Sequence, residues 1–146
     1  MTTLSGRQPA IALVDDDYHS ARLMTRMIEA HGGPQVLRLP DPQVALEALA
    51  EAVLTPPVAG QCLAIVDLKS SSTATRDFIV RLKHTVPELL VVAMAPSLDR
   101  DVRNELLDAG ASAVFERHSD ITLYRREAAN IVAFWVRNQR LDAVGT

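Results

Sequence analysis

Short apolar runs alternate along the chain with longer stretches in which apolar residues recur at helical spacing. The runs Ala10–Val14, Val36–Leu39, Cys62–Val66, Leu90–Met94 and Ala113–Phe115 read as five strands. Helices are expected from about Tyr18 to Ala30, from Asp41-Pro42 to about Leu54, and from about Ala74 to His84. A fourth follows Pro96-Ser97-Leu98-Asp99, and a long last one occupies about Ile121 to Leu141. The punctuation agrees with the periodicity. His31-Gly32-Gly33-Pro34 ends the first helix, Asp41-Pro42 supplies an N-cap with proline in the first turn, and Gly110 stops the fourth. Thr55–Gly60, with two prolines, reads as a surface loop. Five strand–helix units with no internal repeat and no linker predict an α/β fold around a parallel sheet. They make one domain over residues 1–146, with its core at about 8–141.

Composition narrows the class without naming a function. At 146 residues the chain can bury a real core, and with 48% hydrophobic but only 4% aromatic residues, aliphatic side chains must fill it. A net charge of −3 gives no general attraction to nucleic acid or to an anionic membrane. No apolar run is long enough to span a bilayer, and the N-terminal residues lack the apolar segment of a secretion signal. The single cysteine, Cys62, excludes an internal disulfide and reads as a small core residue inside a strand. These features together read as a cytoplasmic protein.

The chemistry is concentrated in acids at strand ends. Ile11–Val14 runs straight into Asp15-Asp16-Asp17, and Cys62–Val66 ends on Asp67. Acids at the carboxyl ends of parallel strands point into the crevice where open α/β folds bind ligands. Carboxylates crowded there repel each other, so the pocket should recruit a hard cation such as Mg²⁺. With one acid held apart from the pair, the arrangement suits phosphoryl chemistry. Alone, such acids are often helix caps or solvated loop residues, and Asp17 reads as one of those.

The Val14-Asp15-Asp16 sequence, Asp67 at the end of the third strand, and the segment Asp108–Arg117 resemble the receiver domain of bacterial response regulators. The resemblance runs from about Gln8 to Arg140. It implies a flavodoxin-like, doubly wound five-stranded parallel sheet of strand order 2-1-3-4-5. It also implies that Asp67 accepts a phosphoryl group from a histidine kinase or phosphotransfer protein, and that Asp15 and Asp16 hold Mg²⁺ with Asp67. The backbone carbonyl of Lys69 is a further implied ligand, and Arg117 takes the place of the family's lysine. Such a domain is a phosphoacceptor and regulator rather than an enzyme, passing its signal to a downstream effector protein. The face built from the fourth helix, fifth strand and fifth helix would serve docking or homodimerisation.

Departures from the family pattern are as informative as the matches. Met94 stands where the family has Thr or Ser at the end of strand four, His118 replaces proline, and Val114 replaces an aromatic residue in strand five. Leu68–Thr73 lacks the Met-Pro and Gly that usually follow the phosphoacceptor. A charge-assisted hydrogen bond from the absent hydroxyl is worth about 1.5–3 kcal/mol. Driving a two-state domain almost fully across requires roughly 5.5 kcal/mol, so this one loss removes a large part of the switch. Ser97 is a candidate substitute hydroxyl. Arg117 keeps a positive charge, with a planar fork in place of a point charge, and serves either the phosphoryl group or the neutralisation of the acids. The four histidines have no metal-ligand spacing and read as surface or capping residues.

On the last helix, Tyr124, Ala128, Ile131, Val132 and Trp135 form one stripe suited to the sheet. Leu123, Phe134 and Leu141 form another flank, which is either a contact surface or is covered by a neighbouring element. Two function classes follow: a phosphorylated receiver with a degraded switch, or a phosphorylation-independent interaction module. A dehalogenase-like phosphatase is more distant, because Tyr18-His19 stand where its motif needs Gly-Thr.

Overall fold

A computed structural model describes residues 10–53 and 62–143, apart from the side chains of residue 10 and of residues 52–53 and 140–143. The chain order is β1 (Ala10–Asp15), α1 (Tyr18–Ala30), β2 (Gln35–Leu39), α2 (Pro42–Val53), β3 (Cys62–Asp67), α3 (Ala74–Thr85), β4 (Leu90–Ala95), α4 (Arg100–Ala109), β5 (Ala113–Glu116) and α5 (Ile121–Ala143). The strands form one parallel sheet of order β2-β1-β3-β4-β5, as the resemblance implied. The expected loop Thr55–Gly60 lies outside the described residues.

Side-chain alternation along each strand splits the core in two. Ile11, Leu13, Leu63, Ile65, Val92 and Met94 pack against Met24 and Ile28 of α1 and Tyr124, Ala128 and Ile131 of α5. Their neighbours Ala12, Val14, Ala64, Val66, Val91 and Ala93 pack against Leu49 of α2, Ile79 and Leu82 of α3 and Leu106 of α4. Every residue of β3 is buried, so helices cover both faces of the sheet at its centre.

The capping signals act as the residue types require. Asp41 Oδ1 accepts from Gln43 N at 2.8 Å, Asp99 accepts from Asp101 N at 2.8 Å, and Asp120 Oδ1 accepts from Thr122 N at 2.8 Å. Gly110 follows α4 at φ +123°, and a Cβ there would lie 2.6 Å from Lys83 Cγ. Lys83 cannot easily give way, because its ammonium is fixed on the carbonyls of Pro87 and Leu89 at 2.7 Å each. A left-handed backbone and a close neighbour together require glycine at that turn.

The largest difference from the sequence-based expectation is at the strand ends. β1, β3, β4 and β5 each run one residue further than their apolar runs, to Asp15, Asp67, Ala95 and Glu116. Pairing with the neighbouring strand carries the ladder past the last apolar residue, with Asp15 opposite Asp67 and Ala95 opposite Glu116. The end of β4 is therefore Ala95 rather than Met94. Both are 1% exposed, and neither has a hydroxyl.

Candidate functional site

Sheet order brings the acids together. β1 lies between β2 and β3, so the chain winds away from β1 in both directions and leaves a crevice above its carboxyl end. The β1–β3 register places Asp15 and Asp67 side by side there. Both are buried, at 0% and 1% exposure, while Asp16 is only half-buried.

The two buried carboxylates are held by the protein's own donors. Asp15 Oδ1 accepts from Asp17 N at 2.8 Å, and Oδ2 accepts from the Ser20 hydroxyl at 2.8 Å. Asp67 Oδ1 accepts twice from Arg117, from Nε at 2.8 Å and in an Nη2 ion pair at 2.6 Å. Lys69 Nζ sits between the two acids, 2.7 Å from Asp15 Oδ1 and 3.1 Å from Asp67 Oδ2. It also donates to the Asp67 carbonyl at 3.2 Å. Burial pushes the Asp15 carboxyl above its usual range, against the pull of Lys69, the Asp17 amide and Ser20, and the neighbouring Asp67 charge adds to the rise.

Asp16 is turned to a different task. Its carboxylate accepts from Lys69 N at 3.0 and 3.2 Å and from Ser70 N at 3.1 Å, tying the loop after β3 to the loop after β1. The expected metal set of Asp15, Asp16, Asp67 and the Lys69 carbonyl is thus divided. Two acids line the crevice around an ammonium, and the third is occupied by backbone amides. Among the described residues, no group of three or more Asp, Glu, His or Cys is placed to hold a metal ion. Hard oxygens suit Mg²⁺, but a cation is already seated between them, so the arrangement does not fit a divalent ion as it stands.

Several neighbours were invisible as site residues in the sequence. Arg38, at the end of β2, donates to the Asp15 carbonyl from Nε at 3.2 Å and Nη2 at 3.1 Å. Its guanidinium lies 5.6 Å from the Tyr18 ring centroid, within cation–π range. The only signal for it was a basic residue inside the short apolar run Val36–Leu39. Tyr124 falls on the core stripe by spacing, and it is 3% exposed, with its hydroxyl 3.4 Å from the Ser20 carbonyl. Burial first, then the charges of Asp67 and Asp15, push its phenol up, so it stays a neutral donor.

The residues expected on the readout side lie in separate environments. Ser97 is exposed on the loop after β4. Val114 packs on the α2–α3–α4 side of the sheet, with no polar atom to move. His118 lies between Glu116 at 3.5 Å and Glu127 at 3.8 Å, and Glu127 also accepts from Glu116 N at 2.8 Å. Phe134 does not join an outward flank; it packs edge-on against Phe115, with centroids 6.4 Å apart and planes at 76°. Leu123 is 39% exposed, and the side chain of Leu141 lies outside the described residues. Cys62 is buried in β3, and desolvation pushes its thiol up to about 11, which agrees with a core role.

Comparison with solved structures places the fold among receiver architectures. A response regulator receiver domain from Rhodospirillum rubrum superposes with a TM-score of 0.72 at 20% identity, covering 87% of this chain and 93% of that one. The phosphorylated cyanobacterial phytochrome response regulator RcpA gives a TM-score of 0.69 at 18% identity, over 88% and 94% of the two chains. The Mn²⁺-bound form of the response regulator Rcp1 gives 0.69 at 18% identity, over 87% and 94%. The chain therefore has the fold of a response regulator receiver domain. At these identities the likeness is one of fold. Neither a family model nor a curated protein matches the sequence. Among the described residues, no helix is long and apolar enough to cross a membrane.

Proposed function

We propose that the protein is a signalling module of the receiver type, regulatory rather than enzymatic, which docks a partner protein and does not wait for phosphorylation to do so. The observation that carries this reading is the self-neutralised pocket. Asp67 is clasped by Arg117 and shared with Lys69, beside a β4 that ends in Met94 and Ala95. Lys69 fills the space between Asp15 and Asp67 where a metal ion would assist attack, and no hydroxyl at the end of β4 can bind a transferred phosphoryl oxygen. A partner with equal affinity for both states of a switch shifts nothing, so a pocket that barely switches implies a constitutive docking surface. In this reading the face built from α4, β5 and α5 meets an effector or a second copy in the cytoplasm, and neither nucleic acid nor membrane is its target.

A second reading is favoured by one specific feature, the pairing of Asp15 with Asp67 across β1 and β3. In it Asp67 is a phosphoacceptor served by a histidine kinase or phosphotransfer protein. Arg117 would steady the phosphoryl charge, and Mg²⁺ would be held by Asp15, Asp16, Asp67 and the Lys69 carbonyl once the Lys69 ammonium had left the two buried acids and Asp16 had released the amides. Intact-mass analysis separates the two. Incubated with a small-molecule phosphodonor and Mg²⁺, the protein is expected to stay largely unmodified while an ordinary receiver in the same tube gains one phosphoryl mass. A rapid, near-complete adduct that Asp67→Asn abolishes would establish the second reading.

A further inference from the structure

The position of Lys69 is the least ordinary feature of the pocket. An ammonium has three N–H donors, and this one meets three oxygens from two adjacent strand ends: Asp15 Oδ1 at 2.7 Å, Asp67 Oδ2 at 3.1 Å and the Asp67 carbonyl at 3.2 Å. Its side chain is 23% exposed, so the head group is drawn inward from a loop that offers it solvent. The backbone explains how. Asp16 fixes the amides of Lys69 and Ser70, which holds the start of this loop against the end of β1, within reach of both buried acids for the Lys69 ammonium.

We infer that Lys69 is the resident cation of this pocket, a tethered substitute that closes the Asp15–Asp67 pair to divalent metal. This deepens the proposed docking function and rests on it only for the identity of the pocket. An ion coordinated by Asp15 Oδ1 and Asp67 Oδ2 would occupy the space that Nζ fills. A lysine two residues from Asp67 competes at an effective concentration of order millimolar or higher, against a site that lacks the Asp16 carboxylate. Mg²⁺ also sheds its water reluctantly and binds few-carboxylate sites weakly. The balance of charge points the same way. Lys69 and Arg117 already offset Asp15 and Asp67 and leave only the Asp16 charge unbalanced, so a divalent ion added to both cations would turn these groups from net negative to net positive. The side chain of Lys69 thereby determines which cation the site takes.

The test uses metal alone, without a phosphodonor. Amide signals are followed during Mn²⁺ titration, and thermal midpoints during Mg²⁺ titration, for wild type, Lys69→Ala, Lys69→Met and Lys69→Arg. Wild type and Lys69→Arg are expected to show no selective broadening at Asp15–Asp17 or Asp67–Ser70, and a midpoint that Mg²⁺ leaves unchanged. Lys69→Ala and Lys69→Met should broaden at those residues at concentrations at least about tenfold lower, with a lower midpoint that Mg²⁺ raises. Adding Asp15→Asn to Lys69→Ala should abolish the response. Should the two neutral variants fail to fold, recovery of the fold by Mg²⁺ would support the inference, and its absence would overturn it. Wild-type binding within about twofold of Lys69→Ala, or a folded Lys69→Ala that takes no metal, would also overturn it. The metal titration can fail while partner docking proves independent of phosphorylation, and the reverse, so the two readings fall separately.

Discussion

Arg117→Met should lower the thermal midpoint by about 10 °C, the largest loss expected from any single change in the pocket. Asp67 is 1% exposed, and Arg117 gives it both a hydrogen bond and an ion pair on one oxygen. Removing one partner of a buried pair leaves an uncompensated charge, which typically costs about 3–5 kcal/mol. Here the low end applies, because the Arg117 side chain is 25% exposed and Lys69 stays on the other Asp67 oxygen. A loss of about 3 kcal/mol corresponds to about 10 °C in a domain of this size. Methionine keeps the stem and removes only the charge and its donors, so lost packing cannot account for the change. Adding Asp67→Asn should recover most of it, since the orphaned charge is then gone. Calorimetry on the single and double variants would settle the matter. An Arg117→Met midpoint within about 2 °C of wild type would mean that Lys69 alone neutralises Asp67.

The neighbouring acid should behave in the opposite sense: Asp15→Asn is expected to stabilise the protein at pH 7. Asp15 is fully buried, and its carboxyl is raised by desolvation despite Lys69, the Asp17 amide and Ser20. A carboxyl whose folded value lies above the unfolded one favours folding fully only below the unfolded value of 3.8, and that contribution is lost as pH rises through the folded value. At pH 7 the wild type therefore carries a cost that asparagine avoids. Asparagine Oδ1 can still accept from Asp17 N, its NH2 can donate to the Ser20 hydroxyl oxygen, and Lys69 keeps Asp67. Denaturant curves should show the gain at pH 7 and its shrinkage towards pH 3. A variant less stable than wild type at pH 7 would show that the Lys69 pair outweighs the burial of Asp15.

Opposite signs at two adjacent acids show how much of the site the sequence could reveal. Asp15, Asp16 and Asp67 were legible because strands ending in acids deliver them to one crevice, and the β1–β3 register did so. The strand order followed from the resemblance, and the helix ends from Asp41, Asp99 and Gly110, whose roles depend only on neighbouring backbone. What could not be read depends on contacts distant in the chain. The sequence points to Lys69 only for its carbonyl, because the direction of a flexible four-carbon stem is set by Asp15, 54 residues away. Asp16 looks equivalent to Asp15 in sequence, and only the amides of Lys69 and Ser70 separate them. Arg38 reaches Asp15 only once β2 pairs with β1. Phe134 lies on the expected flank by helical spacing, yet the ring of Phe115 draws it inward.

Under the proposed function this receiver fold presents its partner surface without a phosphoryl signal, because Lys69 and Arg117 hold the pocket closed and β4 ends in Met94 and Ala95. The most direct measurement is a pair of amide correlation spectra of the wild-type protein, with and without beryllium fluoride and Mg²⁺ as a phosphoryl mimic. Signals from Arg100–Ala109, Ala113–Glu116 and the exposed turn of α5 around Leu123 are expected to be unchanged, even where the mimic perturbs residues beside Asp67. Shifts spreading from Ala95 across β5 into α4 and α5 would show a working switch and would contradict a surface that is permanently ready to dock.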